Sequence, residues 1–425
     1  MMKILYIHQY FTTREGTLGT RSYEFAKHLV RSGHEVTIIT GDAYLPKIEG
    51  ESEGLLFRKA HLDGIRIVAV KVAYSNYMGF VRRVLAFFLF IFFATWLALF
   101  GKRVDLILAT STPLTVAIPA LIVKKLRRIP FVFEIRDLWP EAPIQIGAIR
   151  HPFLIRLLRL LEKKTYLEAT HLVALSPGMA EGIRATGIPE NKITMIPNCA
   201  DLDLFDEQTL SAERLEQLQE KYGLAGKLVL LHGGALGPAN GLTAVIEAAI
   251  QLHQQGEERV VFLLAGEGKM RPELEKMIRA HGVTNVFFTG PIPRKEMPYF
   301  LASSDITITS FLPLPILATN SPNKFFDSLA AAKPIIVNSN GWTKEIVETH
   351  GIGFYVDPQE PTELAQLLQS LIHEQSKLQQ MGLRARKLAE EQYERGKLAR
   401  QMENVLLGAI GHTRPIHEEG RVYAK

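Results

Sequence analysis

The run Thr319-Asn320-Ser321-Pro322-Asn323-Lys324-Phe325-Phe326-Asp327 gathers six polar side chains in nine residues. Ser and Asn cap helices well and Pro is tolerated in a first turn, so a helix is predicted to begin beside Ser321 or Asn323. The free amides of such a start, with Lys324 beside them, suit a diphosphate. Asp327 follows one turn after Asn323, where its carboxylate would accept from ribose hydroxyls. A capped helix with solvated Lys324 and Asp327 is the plainer alternative.

A second constellation is Phe133-Glu134-Ile135-Arg136-Asp137-Leu138-Trp139-Pro140-Glu141, which ends a strand and releases a guanidinium and carboxylates. Asp137 would orient an attacking hydroxyl or take its proton. Arg136 would pair with phosphate or stabilise a leaving group. A structural salt bridge is the other use of such residues. Glu345, after the loop 338–344, is a candidate for binding sugar hydroxyls. His8 and His232 each end a first strand, where a structural imidazole is a comparable reading.

Glycines mark the matching loops. Gly16 and Gly19 follow one first strand, and Gly233, Gly234 and Gly237 follow another, with Asn240-Gly241 just beyond. Gly266-Glu267-Gly268-Lys269 follows the next strand. Glycine permits close backbone approach to a ligand, and Lys269 would reach a phosphate. Turn geometry alone also accounts for such glycines, and the strict dinucleotide fingerprint is absent.

These loops need strands to hold them. Lys3-Ile4-Leu5-Tyr6-Ile7, a helix over 21–32 and a return strand over 35–40 read as a right-handed parallel crossover. Strands at 65–72, 105–109, 131–135, 172–175 and 193–196 extend an open parallel sheet with helices on both faces. A second series runs through 228–232, 260–265, 286–289, 306–308 and 335–337. The predicted organisation is an N-terminal Rossmann-like domain at 1–200, an interdomain segment at 201–226, and a C-terminal nucleotide-binding domain at 227–385. Residues 386–425 form a helix crossing back to the first domain and a polar tail. Ligands belong beyond the carboxyl ends of the strands, in the cleft between the domains.

With 425 residues there is material for two cores, and 47% apolar against 22% charged residues excludes general disorder. The net charge of +5 fits contact with phosphate or anionic lipid and gives no sign of nucleic-acid binding. Cys199 is the single cysteine, so neither an internal disulfide nor a thiolate cluster can form, and a reducing compartment is expected. The N-terminus reads as a strand rather than a signal peptide. Zinc-protease, nucleophile-elbow and Walker patterns are absent. Asp201 and Asp203 have the spacing of a metal-binding pair but lie between the domains, so no metal is expected.

The stretch 84–100, VLAFFLFIFFATWLALF, carries no charge and is flanked by Arg82-Arg83 and Lys102-Arg103. As a helix it reaches about 26 Å, short of a normal span. Basic flanks on both sides give no crossing direction. The expected arrangement is a helix embedded in one leaflet at the cytoplasmic face of the inner membrane, with the basic residues on anionic headgroups. An ordinary core or dimer-contact helix and a true crossing are the alternatives.

The chain resembles the retaining family 4 of the glycosyltransferases, with the GT-B fold. Within it, the chain is similar to bacterial enzymes of surface polysaccharide assembly (O-antigen or capsule), above all N-acetyl-L-fucosamine transferases. The resemblance rests on Gly19-Thr20-Arg21-Ser22, Arg136-Asp137-Leu138-Trp139-Pro140-Glu141, Ile196-Pro197-Asn198-Cys199-Ala200-Asp201 and, most strongly, Ser321 to Ala331. It implies a hexosyl- or N-acetylhexosaminyltransferase. The donor would be a UDP-sugar, the acceptor an undecaprenyl-diphosphate-linked saccharide, and no cofactor would be required. Where relatives commonly have two glutamates separated by seven intervening residues, this chain has Thr319 and Asp327. Asn240 stands in the usual lysine place, leaving Lys324 or Lys269 to supply charge to the diphosphate, and Arg136 replaces a histidine. A nucleotide-sugar epimerase or hydrolase of the same architecture, an oxidoreductase and a non-catalytic membrane scaffold are the competing readings.

Overall fold

The computed structural model describes residues 1–74 and 78–411, so the polar tail from 412 onward lies outside the described residues. The first sheet holds β1 (Lys3–Ile7), β2 (Glu35–Gly41), β3 (Ser52–Glu53), β4 (Phe57–Leu62), β5 (Ile65–Val70), β6 (Leu106–Thr110), β7 (Phe131–Ile135), β8 (His171–Ala174) and β9 (Ile193–Met195), in the order β3-β4-β5-β2-β1-β6-β7-β8-β9. β6 and β7 are buried along their whole length, because both faces are covered by helices and both sides of each strand must be apolar.

The sheet is not parallel throughout. β4 runs antiparallel to β5, and β3 to β4, making an edge that the strand periodicity did not suggest. Asp63 (φ +50°) and Gly64 (φ +79°) join β4 to β5, and positive φ at both positions suits the tight hairpin.

Right-handed crossovers decide which face each helix covers. The helix Arg21–Arg31 returns from β1 to β2 and buries Phe25 and Leu29 on one face. The helices Phe80–Phe100, Ala117–Arg127 and Pro152–Glu168 move the chain the other way across the sheet, so they share the opposite face. The helix Arg395–Ala409 packs Leu398, Met402 and Leu406 beside Phe25, with Glu403 accepting from Ser32 at 3.0 Å and 3.1 Å from one ring nitrogen each of His28 and His34.

The apolar stretch forms the helix Phe80–Phe100. Ala86, Phe90, Ala94 and Ala98, spaced by four, face the sheet and are buried. Phe88 (66% exposed) and Phe92 (64%) point outward with Val81, Leu85 and Phe100. One side thus belongs to the domain's own packing, while the other leaves large apolar side chains exposed on a helix long and apolar enough to cross a membrane.

The second sheet contains β10 (Leu228–Gly233), β11 (Val260–Ala265), β12 (Val286–Gly290), β13 (Ile306–Thr309), β14 (Ile335–Val337) and β15 (Gly353–Tyr355). All its pairs are parallel, in the order β12-β11-β10-β13-β14-β15. The switch in strand order lies beside β10, where a doubly wound sheet opens a ligand crevice. The segment between the sheets is not a bare linker: the helix Ala212–Tyr222 buries Leu218 and Tyr222 against Phe300 in the second core. A boundary at 385 falls inside the helix Gln375–Leu388, whose Ala385 and Leu388 belong to that core.

Candidate active site

The chain leaves β10 at Gly233 and turns through Gly234, at φ +151°. The helix Asn323–Ala330 begins opposite, after Pro322, with no side chain capping its first amides. Lys324 extends from this first turn toward the β10 loop. Its Nζ donates to Asn240 Oδ1 at 3.0 Å and lies 5.4 Å from the Phe311 ring centroid. Among the described residues no carboxylate is paired with it, and loss of hydration lowers its pKa to about 7. A cation whose side-chain partner is neutral, at a helix start that no side chain caps, has the chemistry that suits an anion.

His232, at the end of β10, is fully buried and held well below its ordinary pKa by burial and then by the charge of Lys324. It is a neutral imidazole at neutral pH. Gly266 and Gly268 serve a packing need: a Cβ would lie 1.8 Å from Gly234 O and 2.3 Å from Leu236 O. The two glycine loops thus rest directly on each other.

Asp327 is buried, and both of its oxygens accept from Arg294, Oδ1 at 2.6 Å from Nη2. Burial raises the Asp327 pKa while the Arg294 charge opposes the rise. The carboxylate expected to be free for ribose is therefore engaged by a guanidinium that the sequence reading did not single out. Arg294 follows the carboxyl end of β12, and that position was the available signal.

On the first domain, Asp137 Oδ2 accepts from Thr112 Oγ1 at 2.6 Å. Burial raises its pKa, opposed by Thr112 and Arg136. Thr112 holds φ +88°, a strained conformation for a β-branched residue and one of the kinds found at functional sites. Arg136 Nη1 lies 3.4 Å from His8 Nε2. His8 is buried and held well below its ordinary pKa, by burial first and Arg136 second. Glu134 is structural: fully buried, it accepts from Arg21 Nε at 2.8 Å and Thr110 at 2.7 Å, while Arg21 also bonds the carbonyls of Ile196 and Pro197.

Several of the predicted residues lie where the two domains meet. Gly16 O accepts from Arg294 N at 2.9 Å, and Glu15 pairs with Lys295 at 2.6 Å. Gly19 faces Asn323, where a Cβ would come within 2.4 Å of Nδ2. Asn198 N donates to Ser321 Oγ at 3.2 Å, and Ser176 donates to Thr319 O. Thr319 Oγ1 donates to Ile316 O at 2.7 Å, so this residue serves the domain contact and its own turn. Gly237 caps the short turn Pro238–Asn240 that presents Asn240 to Lys324. Lys269 and Glu345 are exposed and take no part in these contacts. No group of His, Cys, Asp and Glu among the described residues is arranged to hold a metal.

Residues 16–199 match the family described as glycosyl transferase 4-like domain, and residues 215–388 match glycosyl transferases group 1. An alpha-D-kanosaminyltransferase of Streptomyces kanamyceticus is 25% identical over 49% of this chain and 53% of that protein, so the match spans about half the relative's length. A putative colanic acid biosynthesis glycosyl transferase of Escherichia coli is 23% identical over 96% of this chain and 100% of the relative. Among solved structures, sucrose-phosphate synthase of Thermosynechococcus elongatus superimposes with a TM-score of 0.74 at 15% identity, over 97% of this chain and 100% of that one. Anabaena HepE, solved in complex with UDP-glucose, gives 0.70 at 19%, over 96% and 100%.

Proposed function

We propose that this chain, a glycosyltransferase of the GT-B type, moves a sugar from a UDP-sugar to a lipid-linked saccharide with retention at the anomeric carbon. The observation that carries the donor half is Lys324, a cation without a carboxylate partner at the uncapped start of the helix Asn323–Ala330. A diphosphate there would receive the ammonium and the helix amides together, which stabilises the charge that develops as it leaves. Its β-phosphate oxygen would take the acceptor proton, so no side-chain base is required. Asp137 and Arg136 would orient the acceptor from the opposite domain, and closure over the cleft would limit hydrolysis.

The acceptor half rests on the helix Phe80–Phe100, whose outward apolar side suits one leaflet of the cytoplasmic membrane. An undecaprenyl-diphosphate-linked saccharide of a surface polysaccharide would enter from that side, and an N-acetylated amino sugar is the donor group the sequence resemblance favours. The test is turnover: full-length protein in nanodiscs, a panel of UDP-sugars, short lipid-diphosphate saccharides, and product mass. A sugar mass added to one lipid acceptor, lost in Lys324→Ala with folding intact, is expected. UDP release without acceptor glycosylation would favour a hydrolase instead.

A further inference from the structure

The helix Pro152–Glu168 is apolar on its outer side as well as on its buried one. Its buried side carries Leu158, Thr165 and Tyr166. Its outer side carries Phe153 (71% exposed), Leu157 (52%), Leu160 (59%) and Leu167 (55%). The spacing of 4, 3 and 7 residues places these four within one stripe of a helix with 3.6 residues per turn. The basic residues Arg156, Lys163 and Lys164 are exposed in or beside the stripe. A helix facing water on that side would gain nothing from four large apolar side chains in register.

This helix does not stand alone. It shares a sheet face with Phe80–Phe100 and the intervening helix Ala117–Arg127. The three are joined near their carboxyl ends. Arg127 Nη1 donates to Ala98 O at 3.0 Å and Leu99 O at 3.1 Å, supplying the cation that the last turn of the apolar helix lacks. Lys124 bonds the Glu168 carboxylate at 2.9 Å, and Lys192 holds the carbonyls of Tyr166 at 2.8 Å and Leu167 at 2.7 Å. The middle helix adds exposed Leu126 between exposed Lys125 and partly exposed Arg127.

We infer that Pro152–Glu168 is a second lipid-binding helix, held on the same sheet face as Phe80–Phe100 across the helix Ala117–Arg127, so that both press their apolar stripes into one anionic bilayer surface. The inference rests on the membrane reading of the first helix and adds a partner element to it. Charge complementarity selects the occupant. Apolar stripes bordered by Lys and Arg match acyl chains beneath anionic headgroups, whereas a second copy of this face would bring like charges together.

Full-length protein would be floated with phosphatidylcholine vesicles, with and without phosphatidylglycerol. Wild type is expected to bind the anionic vesicles preferentially and to lose binding as salt rises. F153S/L157S/L160S should bind at least about tenfold more weakly with unchanged UDP binding, and R156E/K163E should remove most of the preference for anionic lipid. Wild-type affinity in F153S/L157S/L160S, alongside lost binding in F88S/F92S, would overturn the second helix and leave the first reading standing. No vesicle binding by wild type would overturn both. A wild-type dimer in light scattering that F153S/L157S/L160S dissociates, with vesicle binding unchanged, would assign the stripe to a second copy and overturn the lipid assignment.

Discussion

Lys324 Nζ rests 3.0 Å from Asn240 Oδ1, so the ammonium of the second domain's helix occupies the neighbourhood of the residue that closes the glycine loop. The cation therefore arrives from position 324 while position 240 supplies a neutral acceptor. Binding of a diphosphate should raise the Lys324 pKa from about 7, because an adjacent anion favours the charged form. UDP affinity should then be greatest below pH 7 and fall as pH rises through that value. Lys324→Ala should flatten this dependence and lower kcat/KM roughly 100-fold. Titration calorimetry in two buffers of different ionisation enthalpy would detect the proton uptake.

Stability of the unliganded protein should move the other way with pH. The folded pKa of Lys324 is below its ordinary 10.5, so between about pH 7 and 10.5 the unfolded chain binds more protons at this site. Stability contributed by this group rises with pH across that window. Lys324→Met should abolish the increment and leave the protein at least as stable at pH 7, since it removes a poorly hydrated cation. Urea unfolding of the two proteins at pH 7 and 9 measures both effects.

Asp327 and Arg294 form a nearly buried pair, and removal of one partner strands the other. Arg294→Ala should cost about 3–5 kcal/mol. Arg294→Lys should recover only part of this, because a point charge cannot donate to both oxygens in parallel. The double variant with Asp327→Asn should be less destabilised than the sum of the singles. A double-mutant cycle by urea unfolding decides it.

How much of this was legible in the sequence can be judged from these residues. The strands, the two-domain plan and the polar run from 319 to 327 follow from periodicity and residue type, which are local. The β4–β5 hairpin was signalled by Asp63-Gly64 but masked by weak alternation in FRKAHL. For Arg294 the only local signal was its place after the carboxyl end of β12; its pairing with Asp327, 33 positions away, depends on the sheet order that brings the loop there. The glycine spacing alone leaves ligand approach and turn geometry both open; the close contact of Gly266 and Gly268 with the backbone of the neighbouring loop is one that no local pattern encodes. Lys269 and Glu345 have suitable chemistry and are exposed.

Asp137 should set the acid limb of activity if its ionised form orients the acceptor. Burial raises its pKa, so activity should fall at a pH above the usual carboxylate range. Thr112→Val removes the hydroxyl that favours the carboxylate, and the limb should move further upward. Thr112→Gly removes the same hydroxyl but relieves the positive φ. The two variants should therefore share a pH profile while the glycine variant is the more stable by about 1 kcal/mol or more. Equal stability would mean that φ +88° is not strained in its setting.

Gly19 and Gly266 separate a domain contact from a loop contact. A methyl at Gly19 meets the end of the Asn323 side chain, which can rotate away, whereas a methyl at Gly266 meets the carbonyl of Gly234 at 1.8 Å. Gly19→Ala should leave stability nearly unchanged, because only a side-chain amide must move. Gly266→Ala must push apart two backbone segments on adjacent parallel strands, and should cost about 2 kcal/mol or more. Displacing Gly234 also shifts the backbone facing Lys324, whose Nζ lies 3.9 Å from a Cβ built on Gly234. Gly266→Ala should therefore weaken UDP binding in the protein that remains folded, while Gly19→Ala keeps it. Calorimetric UDP binding measured beside thermal unfolding distinguishes the two, and unchanged affinity in Gly266→Ala would show that the loop contact does not set the geometry around Lys324.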